Sequence, residues 1–166
     1  MNKDTITTFV AFNFWANARI LACCDQIMHD EFLRPVTPDP GWGSLRGILV
    51  HTLDVEHGWR SALQSLPDSG ILQEDEVPDV AALRARWKEE QAAWMAYLAS
   101  LDDERLMRGY GADPQNSPLA WQTIMHVVTH GIQHRGEAAT FLTGYGHSPG
   151  ELDFDFFLLE QANGNA

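Results

Sequence analysis

With 166 residues, 45% of them hydrophobic, the chain is long enough for one sizeable core and too apolar for disorder. Its formal net charge of -12 speaks against a nucleic-acid partner, since phosphate binding needs clustered Lys and Arg, and reads as solubility. No apolar run approaches the roughly 18 residues that span a bilayer, and "MNKDTITTFV" lacks a basic stretch followed by an apolar core, so no signal peptide is expected.

These features predict a soluble, cytoplasmic protein with no membrane partner. The only cysteines, Cys23 and Cys24, are adjacent, and sequence neighbours rarely meet the geometry of a disulfide. Both read as core residues. No repeat, low-complexity tract or linker divides the chain, so residues 1–166 read as one domain.

The first helix is expected from about Asp4 to about Asp30, with Phe9, Phe12, Asn13, Ala16, Ile20, Cys23, Cys24 and Ile27 on one face. Asn13 on that face reads as a buried hydrogen-bonding residue. "RPVTPDPGWG" then breaks the chain with three prolines. The second helix opens at Ser44, a good N-cap, and continues to about Leu66, with Ile48, Val55, Trp59, Leu63 and Leu66 as its core face. The third spans about Asp79 to about Leu101, anchored by Leu83, Trp87, Trp94 and Leu98. The fourth starts in "NSPLAW", with Ser117 as cap and Pro118 in the first turn, and runs to about Thr143 before Gly144. "ELDFDFF" alternates with period two, but the tail reads only as a short packed segment. The fold class is therefore all-α: an up-and-down four-helix bundle with a short C-terminal segment.

On the fourth helix, His126, His130 and His134 recur at every fourth position along the border of the apolar face, and Glu137 shares that border. Two histidines one turn apart can converge on one ion at roughly 2.0–2.1 Å. His126 and His134, eight residues apart, are separated by about 12 Å along the axis and cannot both reach it. One metal therefore uses His126 with His130, or His130 with His134. A third ligand must come from another helix. His51 borders the apolar arc of the second helix, whereas His57 lies on the far side, His29 ends the first helix and His147 sits in a turn. The protease pattern His-Glu-x-x-His is absent, because Gly131 follows His130.

Three stretches in order, "FNFWANARIL", "GWGSLRGILVHTLDVEHGW" and "HVVTHGIQHRGEAATFLTGYGHSP", resemble the DinB/YfiT-like superfamily of small metal-dependent bundle proteins. Their counterparts there are a Tyr-Asn-x-Trp-Ala-Asn opening, a segment with His and then Ala-Glu and Trp, and a closing His-x-x-x-His-Arg-Gly-Gln helix. The resemblance implies one divalent ion held by His51, His130 and His134, leaving His126 as a neighbour. Glu137 stands where the family usually has Gln, and reads as an ordinary surface residue.

Three neutral ligands leave a coordination position open, as catalytic sites do. Nitrogen donors suit zinc, nickel, copper or iron(II) without choosing between them; zinc or nickel is the first expectation, with iron, copper or manganese as the remaining candidates. The resemblance implies a metal-dependent enzyme of one of two kinds: a hydrolase using metal-bound water, or a thiol S-transferase acting on a low-molecular-weight thiol. Its substrate is then a small molecule. The alternative is a non-catalytic metal- or ligand-binding bundle with a stress-related role. No serine or cysteine nucleophile arrangement stands out, so the catalytic residues stay unassigned. A homodimer is also expected, since the family often dimerises and Trp15, Trp87, Trp94 and Trp121 could supply an interface.

Overall fold

Four side chains start four of the helices by accepting a free backbone N–H of the first turn. Asn2 caps α1 (Lys3–Cys24), Ser44 caps α3 (Leu45–Leu63), Asp79 caps α4 (Val80–Ser100) and Asp102 caps the one-turn α5 (Asp103–Leu106). With α2 (His29–Leu33), α6 (Ala120–Gly144) and α7 (Phe154–Ala162), the computed structural model is all-helical; it describes residues 1–67 and 70–164. A 3-10 turn spans Glu74–Glu76, and among the described residues the only β pairing is an isolated bridge between Pro35 and Ser44. Among the described residues no helix is long and apolar enough to cross a membrane.

Several boundaries differ from the expected ones. The first helix stops at Cys24, and the chain restarts in α2 at His29. Met28 is extended, and its N–H donates to the Glu31 carboxylate at 3.0 Å, a local start signal that the long apolar pattern hides. His29 thus opens a short helix rather than ending a long one. Ser117 does not cap α6, because its hydroxyl accepts the Tyr110 N–H at 2.9 Å. The start falls at Leu119 instead, whose N–H donates to the Gln122 side chain at 2.9 Å. The alternating tail forms α7 from Phe154, and Phe157 is buried against Phe12 and Trp15.

α1 packs against α4, α6 and α7, while α3 packs against α4 and α6. Trp87 and Trp94 are core residues, 3% and 1% exposed, so neither can serve an intermolecular surface. Trp15 is half-covered by α7 and donates to Glu160. Cys23 and Cys24 are free and buried, and burial pushes the Cys24 thiol up to about 12.

The centre of the inward face of α3 differs from the apolar arc drawn on the sequence. Val55 and Trp59 are only half-buried and Leu66 is exposed beyond the helix end, while Leu49, Leu53, Glu56 and Arg60 turn inward. Glu56 and Arg60 can be inside because each is bonded. Glu56 accepts from Asn13, Asn17 and Trp87, and Arg60 forks onto Glu90 at 2.6 and 2.8 Å. Removing one partner of such a buried pair costs about 3–5 kcal/mol, because the other charge is stranded.

Candidate metal centre

α3 presents His51 from its second turn, and α6 presents His130 and His134 one turn apart. The structure brings these three together. His51 Nε2 lies 3.1 Å from His130 Nε2, and His134 Nε2 lies 3.1 Å from the same atom. One ligand atom from each residue falls within 4.8 Å of the others, and among the described residues this trio alone forms such a group. Nitrogens bonded to a tetrahedral ion at 2.0–2.1 Å stand about 3.3 Å apart, so the donor set fits a divalent transition metal.

Two of the three rings are held from outside the cluster. His134, 3% exposed, points its Nδ1 at Glu137 Oε2 at 2.7 Å. An Nδ1–H donated to that carboxylate leaves the Nε2 lone pair facing the cluster. His51 stacks on Trp42, with ring centroids 3.5 Å apart and planes 12° from parallel. The edge of Trp42 also meets His134, centroids 5.8 Å apart.

Trp42 is fixed by its own loop. Asp39 Oδ1 accepts the N–H groups of Gly41, Trp42 and Gly43 at 2.8, 3.0 and 2.9 Å. Those bonds hold the Asp39 carboxyl below its usual range. Gly41 and Gly43 have φ of 111° and 71°, a conformation that favours glycine. The Trp42 carbonyl presses on Gly47 of α3, where a Cβ would stand 1.9 Å from that oxygen.

The electrostatics favour neutral imidazoles. Burial first, then the neighbouring His134, His51 and His126, pushes His130 down to about 4. His51 is lowered by burial and by His134, against the opposing pull of Asp54 and Glu137. A neutral ring is the form that ligates a metal, so the fold keeps these nitrogens available near neutral pH.

The other histidines stay out of the cluster. His126 is exposed and packs edge-on against Trp59, centroids 5.5 Å apart. His57 meets Glu90 at 3.0 Å, beside Arg60. Two residues at the centre escaped the sequence reading. Trp42 lies in a stretch that reads as a helix breaker, although an aromatic flanked by glycines just ahead of the His51 helix is a signal. Glu137, read as a surface residue, is half-buried and engaged; its spacing of three from His134 is the signal.

A cleft of about 460 Å³ lies behind Glu137, walled by Pro38, Pro40, Phe141 and Tyr145. It offers room for a small molecule beside the residue that orients His134. A comparison with curated proteins finds no match. The profile of a metal-binding helical family matches residues 1–164, and the chain therefore belongs to the DinB family.

Proposed function

We propose that the protein is a metal-dependent enzyme that holds one divalent ion, zinc or nickel in the first place, on His51, His130 and His134. The observation that carries this reading is the convergence of three Nε2 atoms with His134 oriented through Glu137. Three neutral donors leave the ion its full charge and an open position, as in catalytic sites. When bound, such an ion would supply Lewis-acid chemistry toward a water or a thiol. The protein's share is to bring the three rings together, hold His51 and His130 neutral, orient His134 through Glu137, and offer a small substrate the neighbouring cleft. Either hydrolysis or transfer of a low-molecular-weight thiol onto an electrophile uses that chemistry. The surrounding architecture in this reading is an up-and-down four-helix bundle in one domain, a cytoplasmic homodimer.

The test begins with metal content. Untagged protein, stripped and then exposed to zinc or nickel, is expected to retain one ion per chain, and His130→Ala to retain none. A wild type that holds no stoichiometric metal overturns the enzyme reading in favour of a non-catalytic bundle. The loaded protein is then assayed with bacillithiol, mycothiol or glutathione and monochlorobimane. A metal-dependent rate supports thiol transfer, and its absence with all three thiols removes that branch.

A further inference from the structure

We infer that the buried network of Asn13, Asn17, Glu56, Trp87 and Arg135 is a positioning device for the metal centre, setting the register of α6 against α3. The inference rests on the reading of His51, His130 and His134 as ligands. All five residues are 3% exposed or less. Glu56 sits on the ligand-bearing α3, five residues after His51, and Arg135 directly follows His134 on α6.

The two helices are linked through the amides of α1. The Nδ2 groups of Asn13 and Asn17 donate to Glu56 Oε1 at 2.6 and 2.9 Å. Their Oδ1 atoms accept from Arg135 Nη1 at 2.6 and 2.8 Å. Each amide therefore reads a carboxylate with one end and a guanidinium with the other, and neither can flip without breaking both bonds. Trp87 of α4 fixes the second oxygen of Glu56 at 2.6 Å.

Close approach next to the ligands is part of the device. Gly131 follows His130, and a Cβ there would stand 2.5 Å from Asn13 Oδ1 and 2.6 Å from Arg135 Nη1. The network thus fills the space beside His130 that a side chain would otherwise take. Apolar packing alone tolerates small slides of one helix past another, whereas a satisfied polar network has one register. Ligand atoms must be held within about 0.5 Å of the productive geometry by neighbours that packing and hydrogen bonds lock in place.

The test compares Glu56→Gln and Asn17→Ala with wild type and with Leu98→Ala, a core truncation on α4 outside the network. Each metal-free protein is checked for folding by circular dichroism. Zinc affinity is then measured by chelator competition, and cobalt(II) substitution reports ligand geometry through its visible absorption bands. The expected result is at least about tenfold weaker zinc binding and altered cobalt bands in Glu56→Gln, the same direction in Asn17→Ala, and wild-type values in Leu98→Ala. If Glu56→Gln does not fold, Asn17→Ala, which leaves Asn13 bridging, decides. Wild-type affinity and bands in the folded network variants overturn the inference, as does an equal loss in Leu98→Ala. A wild type that takes up no metal overturns the metal reading itself, and this inference with it.

Discussion

Glu137 decides how His134 meets an ion. Its carboxylate, 2.7 Å from Nδ1, selects one tautomer, fixes the ring and makes the imidazole a stronger donor through Nε2. It also places a negative charge beside the three candidate ligands. A glutamine would keep an acceptor at this position and lose the charge. Glu137→Gln is therefore expected to weaken zinc binding about tenfold, and Glu137→Leu, which removes acceptor and charge together, by up to about a hundredfold. Chelator competition at neutral pH measures both. Unchanged affinity in the leucine variant would mean that packing alone orients His134. Glu137 was visible in the sequence as a neighbour on the right border of the helix, but its role was not. Whether an i, i+3 carboxylate turns toward the histidine or toward water depends on the packing of the whole helix.

At the scale of elements, α3 and the loop before it act as one unit. Alanine is ordinarily a better helix residue than glycine by about 1 kcal/mol. Gly47→Ala is expected to do the opposite and destabilise the protein by about 1–3 kcal/mol, because its Cβ needs the space of the Trp42 carbonyl. Urea unfolding gives the sign. Tryptophan fluorescence is expected to change as Trp42 leaves the face of His51, and a variant at least as stable as wild type, with unchanged fluorescence, would show that the loop yields freely. The four long helices were legible because apolar residues recur at the helical period and Ser44 and Asp79 announce their starts. The core face of α3 was less so. Apolar periodicity counts Glu56 and Arg60 as outward, and only partners on other helices, Asn13, Asn17, Trp87 and Glu90, permit their burial. The restart of the chain at His29 was hidden for a related reason: a one-turn helix with a two-residue capping exchange leaves no mark on an 11–18-residue window.

Taken as a whole molecule, the candidate centre joins segments far apart in the chain, His51 on one side and His130 and His134 on the other. Axial rise along one helix excluded His126 as a partner of His134, but no periodicity could show that α3 and α6 bring their rings together edge-on. That follows from the packing of α3 against α6. An ion bound across them binds the folded chain and not the unfolded one, so it must stabilise the fold. At free zinc of one hundred times the dissociation constant the gain is about 2.7 kcal/mol. For a chain of this size each kcal/mol moves the melting temperature by about 2–4 °C, so zinc is expected to raise Tm by roughly 5–11 °C. His51→Ala removes the only candidate ligand from α3 and leaves the pair on α6, which one helix presents by itself. Its Tm is expected to respond little to zinc. Calorimetry with and without zinc on both proteins separates this cross-helix linkage from weak binding at exposed carboxylates, which would shift both alike. Equal shifts would show that the ion does not bridge α3 and α6, and a shift confined to wild type would make the centre part of what holds those two helices together.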